Sequence, residues 1–183
     1  MAAQVIASSY TDGPALTAAA AASCLPTYVL TTLPAGIMQI GRIYRLTASG
    51  RISCAVTTPG TARFDLRLGG VVAFDTLAMP LNIVAKTNVP WFLLAFLTVR
   101  AVGSGTSANI LGQGIWTSEA AINTAVPSTG PGPGGFIVPY NTAPVVGTGF
   151  NSTAALTLDL FFTQTVATGS MTLHQFMLEQ MTP

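Results

Sequence analysis

The chain of 183 residues carries a formal net charge of +1, and only 7% of its residues are charged while 50% are hydrophobic; an average soluble domain is about 25% charged. Seven scattered Lys and Arg give no basic footprint for nucleic acid, and no apolar run reaches the roughly 18 residues of a membrane helix, since the best, 89–102, is broken by Pro90, Thr98 and Arg100. Repeated runs of Leu, Val, Ile and Phe argue against disorder, which leaves a subunit whose neutral surface is covered within an assembly.

Residues 1–26 hold few bulky side chains, a turn signal at Asp12, Gly13 and Pro14, and an alanine run at 18–22 that is marginal as a helix on its own. They read as an extended N-terminal arm, either frayed or ordered against a neighbouring subunit, ahead of one β-sandwich domain at 27–183. The start of the chain lacks the basic and apolar regions of a secretory signal. The two cysteines, Cys24 and Cys54, sit beside apolar residues and read as buried free thiols, with a single disulfide as the other possibility.

Beyond the arm, 27–40 reads as a strand entering a turn at Pro34, Ala35 and Gly36, and the alternation of Ile43 and Arg45 with Tyr44 and Leu46 opens a pair of strands around Ser49 and Gly50. After the turn at 57–60 comes the cleanest alternation, with Phe64, Leu66 and Leu68 toward the core. Arg63, Asp65 and Arg67 face away, and Arg–Asp pairing is the simplest use for them. Strand 71–77 follows Gly69 and Gly70. The most apolar strand, 91–102, reads as central and covered on both faces. In 110–116, Gly112 and Gly114 mark a bulge or a close backbone approach.

From about 119 to 149 the Gly- and Pro-rich composition reads as a long surface loop, with Pro131, Gly132 and Pro133 as its partner-contact candidates. Two apolar runs close the chain: Leu156, Leu158, Leu160 and Phe162 fall on alternate positions, Gly169 supplies a turn, and 171–179 returns as the second arm of a long antiparallel hairpin. About eight strands without a convincing long helix make an all-β, single antiparallel sandwich, jelly-roll-like by base rate.

Little in the sequence is arranged for chemistry. His174 is the only histidine, so no imidazole cluster can hold a metal, and no Gly-x-Ser-x-Gly elbow surrounds any serine. Asp65, Asp75, Glu119 and Asp159 fall on separate elements and read as surface charges or ion pairs. The Gly103 to Ser107 stretch lacks the lysine of a phosphate loop. Neither Trp91 nor Trp116 has the polar and aromatic company of a carbohydrate site. The chain therefore reads as no enzyme, with no cofactor and no metal. Strand alternation sets Phe161 opposite the Leu156, Leu158 and Leu160 face and puts Phe176 beside His174, making Phe161, His174 and Phe176 the oligomer-interface candidates.

Several phrases, taken together, resemble a group of small virion structural proteins of tailed bacteriophages: Leu33-Pro34-Ala35-Gly36, Gly41-Arg42, Leu46-Thr47-Ala48-Ser49-Gly50-Arg51-Ile52-Ser53, Thr57-Thr58-Pro59-Gly60, Asp65-Leu66-Arg67-Leu68-Gly69, Gly147-Thr148-Gly149-Phe150-Asn151-Ser152-Thr153 and Met171-Thr172-Leu173-His174-Gln175. The resemblance covers most of 33–179 and no part of the arm. It implies a virion component with a jelly-roll-like subunit, often trimeric. The first expectation is a capsid decoration protein that binds the major capsid protein from outside as a homotrimer. The alternative is a tail or fibre appendage that contacts tail proteins or a host-surface receptor.

Overall fold

The computed structural model describes residues 3–55, 58–122 and 133–181. Its elements in chain order are β1 (Gln4–Ser8), β2 (Ala22–Ser23), a 3-10 turn at Thr27–Val29, β3 (Thr32–Leu33), β4 (Ile43–Cys54), β5 (Thr61–Leu68), β6 (Val71–Asp75), β7 (Met79–Pro80), β8 (Lys86–Ala101), β9 (Asn109–Ile122), β10 (Pro133–Val138), β11 (Leu156–Gln164) and β12 (Ser170–Gln180). They form two antiparallel sheets, with strand orders β1-β12-β4-β8-β9-β10 and β2-β11-β5-β6.

Four pairings are nested: β1 with β12, β2 with β11, β4 with β8 and β5 with β6. A ribbon whose first strand pairs with its last, and whose inner pairs follow inward, is a rolled-up double Greek key, which is the jelly roll. Strands β9 and β10 widen the first sheet beyond β8. The all-β sandwich expected from the sequence is therefore present.

Several local expectations are corrected. The C-terminal runs do not form a hairpin: β11 pairs with β5 and β2 while β12 pairs with β4 and β1, so the link at 165–169 carries the chain from one sheet to the other. Local alternation marks both strands but says nothing about which partner each takes. Gly169 earns its place by close approach, because a Cβ there would lie 2.7 Å from the Ser53 carbonyl oxygen. No turn interrupts β4 at Ser49 and Gly50. Of the expected loop at about 119–149, the first residues belong to β9, which runs to Ile122, and 133–138 form β10, while 123–132 lie outside the described residues.

Of the arm expected at 1–26, the described residues 3–26 lie along the sandwich itself. β1 completes an edge of one sheet and β2 an edge of the other, and the segment between them is tied to β12 by backbone bonds from Gly13 N to Leu173 O (2.9 Å) and between Leu16 and Met171. The alanine run forms no helix. Edge strands need only one apolar face and few bulky residues, which explains why the sequence read this segment as an arm.

The core lies between the sheets. Phe64 from β5 meets Trp91 from β8 at 4.8 Å and Phe162 from β11 at 5.2 Å between ring centroids, and Trp116 stacks on Phe136 at 6.0 Å. Leu156, Leu158, Leu160 and Phe162 all point inward, as their alternation requires, as do Phe64, Leu66 and Leu68. Gly112 and Gly114 show the anticipated close approach: a Cβ at Gly112 would enter the Phe74 ring, and one at Gly114 would lie 2.1 Å from the Leu94 carbonyl oxygen.

Candidate interaction surface

β8 alternates instead of being covered on both sides. Trp91, Leu93, Ala95, Leu97 and Val99 are buried, so Phe92, Leu94 and Phe96 face outward. Register then builds a patch across three strands, with Ile137 of β10 opposite Ile115 of β9, and Ile115 opposite Leu94 of β8. Phe92 pairs with Thr117 and Phe96 with Gln113, flanking this row. Phe92, Phe96, Ile115 and Ile137 remain 39%, 47%, 43% and 74% exposed. The row of Leu94, Ile115 and Ile137 carries no charge; Arg100 and Glu119 stand at its ends, and on the β4 side Arg45, paired with Glu179, lies opposite Phe96. Beside Phe92 the face opens into a depression of about 490 Å³ lined by Ser49, Pro90, Thr117 and Glu119.

The outer face of the opposite sheet has a different chemistry. Arg63 Nε donates to Asp75 Oδ1 at 2.8 Å, and this bond raises the guanidinium pKa. Arg67 pairs with Asp65 on its own strand, and its guanidinium carbon lies 3.6 Å from the centroid of the Phe161 ring. The anticipated Arg–Asp pairing is thus present both within and across strands. Asp65, expected to face solvent, is buried beneath these groups. Asp159 accepts from Ser23 Oγ at 2.6 Å, tying β2 to β11, while desolvation raises its carboxyl pKa despite that bond. Phe161 is therefore half-covered by an arginine on a charged face.

The other two interface candidates separate. A register shift in the β12–β4 ladder between Leu173 and Gln175 leaves His174 as the extra residue of a bulge, and an extra residue reverses the inward and outward parity beyond it. Phe176 consequently points into the core with Met171 and Leu173, at 2% exposure, and its placement on an outer face is corrected. His174 stays at the surface, its Nδ1 2.7 Å from Asp12 Oδ1 in the segment between β1 and β2. Pro131 and Gly132 lie outside the described residues, and Pro133 is the first residue of β10.

Both cysteines are free and buried, and burial pushes both thiol pKa values up. Among the described residues no three His, Cys, Asp or Glu side chains group to hold a metal ion, and no helix is long and apolar enough to cross a membrane. The patch of Phe92, Phe96, Ile115 and Ile137 was missed in sequence because an apolar strand with one wet face looks the same as one with two dry faces. The signal that could have found it is Gln113 and Thr117 on β9, polar residues alternating around Ile115.

No protein-family model matches the chain, and no curated protein matches it. Among solved structures it is similar to the CBM2 module of Lactobacillus casei BL23 phage J-1 evolved Dit, at a TM-score of 0.30 and 10% sequence identity, over 81% of this chain. The match takes in 66% of that chain, just under two thirds of its length. A score of 0.30 is too low for the likeness to bear on fold or function.

Proposed function

We propose that the chain is a structural subunit of a tailed-bacteriophage virion and not an enzyme, acting as a capsid decoration protein that binds the outside of the major capsid lattice as a homotrimer. The observation that carries this reading is the exposed apolar row on β8, β9 and β10 of a protein with so few charges. Exposed apolar patches of a few hundred Å² are often binding surfaces. The bacteriophage assignment and the trimer come from the phrases between Leu33 and Gln175, which the resemblance supplies. Modest contacts repeated by symmetry would then hold the subunit on a lattice through avidity.

The second reading is a tail or fibre appendage that recognises a host surface. The depression beside Phe92 favours it, because Ser49, Thr117 and Glu119 ring an exposed aromatic there. Binding of the purified chain to particles that lack it separates the two. Saturable binding to heads supports decoration. Binding to tails or host cells overturns decoration in favour of the appendage, and binding to neither overturns both.

A further inference from the structure

We infer that the outer face of the first sheet holds a groove for a neutral saccharide chain, crossing β12, β4, β8 and β9 along Gln175, Ser49, Phe92 and Thr117. The inference gives a ligand class to the depression beside Phe92 and rests on the second reading above, in which that depression recognises a host surface.

Register makes the groove continuous. Gln175 pairs with Ser49, Ser49 with Phe92 and Phe92 with Thr117, so four side chains stand in one row across four strands. Three interstrand steps of about 4.8 Å make that row about 14 Å long, the reach of a short oligosaccharide. At its Phe92 end lies the depression of about 490 Å³, and at its Gln175 end a second one of about 300 Å³, where Ser8 and Thr47 join the lining. Ser49 Oγ donates to Gln175 Oε1 at 3.1 Å, and this bond is the floor between the two. Both volumes fall within the roughly 300–1,000 Å³ of small-molecule sites.

The lining selects the ligand. The hydroxyls of Ser8, Thr47, Ser49 and Thr117 each donate and accept, and so does the Gln175 amide, which matches the hydroxyls of a sugar in kind. Among them Phe92 presents a ring that is 39% exposed. The negative face of an aromatic ring attracts the weakly positive C–H groups on one side of a sugar ring. A ligand with a C–H face and a hydroxyl rim uses both features at once, whereas an apolar one would strand the hydroxyls.

Charge and backbone exclude the other chain-like ligands. The row itself carries no charge; Arg51, opposite Pro90, and Glu119, 3.9 Å from Lys86, stand at its margin, too few cations to hold a polyanion. A peptide strand finds no edge to extend here, because β12, β4, β8 and β9 each have ladder partners on both sides.

The test is binding of the full chain to an array of neutral hexose and N-acetylhexosamine oligosaccharides, with heparin as the anionic control, followed by calorimetric titration of those that bind. A neutral oligosaccharide is expected to bind and heparin to fail. Phe92→Ala and Gln175→Ala should each raise the dissociation constant at least about 10-fold, for loss of a ring contact and of a hydrogen-bonding group. Phe96→Ala, an exposed aromatic of the same strand that lies between Arg45 and Gln113, should leave it unchanged. All three variants should keep the wild-type circular dichroism spectrum. Failure of every neutral saccharide at millimolar concentration, preference for heparin, or binding that survives both groove variants overturns the inference. So does a Phe92→Ala protein whose solution mass falls, which would assign the groove to a protein contact. Host cells bound equally by wild type and Phe92→Ala keep the appendage reading and overturn the saccharide groove. A saccharide bound as expected by a chain that binds neither tails nor host cells keeps the groove and overturns the appendage.

Discussion

Replacing Phe176 by alanine should cost the subunit much of its stability while leaving its surface unchanged. The ring is 2% exposed and belongs to the core between the sheets, and deleting a buried Phe costs about 4 kcal/mol through lost transfer energy and the cavity left behind. In a chain of this length each kcal/mol moves the melting temperature by about 2–4 °C, so Phe176→Ala should melt roughly 10 °C lower. Phe176→Asp adds the desolvation of a carboxylate, several kcal/mol more. The total approaches the whole stability of about 5–15 kcal/mol, and that variant should not fold. Phe176→Leu should recover most of the loss. Thermal melts and urea titrations followed by circular dichroism give these numbers. A Phe176→Asp protein that folds, melts like the wild type and only loses oligomeric mass would show that the bulge at His174 does not turn the ring inward.

Three further outcomes follow from the geometry. Gly50→Ala would place a Cβ 2.0 Å from the Thr172 carbonyl oxygen; backbone cannot yield there as a side chain can, so a loss of about 2 kcal/mol or more is expected in urea titrations. For Asp159, desolvation raises the folded pKa above the unfolded one, so the folded state holds its proton more tightly. Stability therefore falls as pH rises from the unfolded carboxylate value of about 4 to the folded value, and the cost persists at higher pH. Asp159→Asn keeps an acceptor for Ser23 and should stabilise the protein at neutral pH, with the gain vanishing below about pH 4 in melts across that range. Cys24 and Cys54 should resist an aromatic disulfide reagent in the native protein and both react once urea unfolds it; labelling of either at native rates would contradict its burial.

The parts of the fold legible in sequence are those governed by one strand and one face. Leu156, Leu158, Leu160 and Phe162 alternate because they line the core, and Phe64, Leu66 and Leu68 do the same. What escaped depends on partners distant in the chain. β11 and β12 each look like an arm of a hairpin, but their partners, β5 and β4, lie about a hundred residues earlier. β1 and β2 are hidden in an alanine-rich stretch because an edge strand is held by backbone bonds that leave no trace in side chains. The candidate surface was illegible for a related reason: Phe92 and Phe96 have the same chemistry as their inward neighbours Trp91 and Leu97, and only the packing of the second sheet decides which side stays wet. At Phe176 a single inserted residue reversed the parity on which the sequence reading relied.

The pairing of β1 with β12 sets the order in which the molecule can be made. The hydrogen bond from Phe176 N to Ser9 Oγ joins residues 167 positions apart, so β1 stays without its neighbour until the far end of the domain has left the ribosome. Topologies dominated by such long-range pairs fold slowly, and their half-built states expose apolar strands. For this chain the hazard falls on β8, β9 and β10, which are synthesised well before β12 and whose outer face the finished roll never covers. Closure of the roll must therefore outpace chance encounters between nascent chains, and a cell making the protein in bulk would find its yield governed by that race more than by the stability of the finished product.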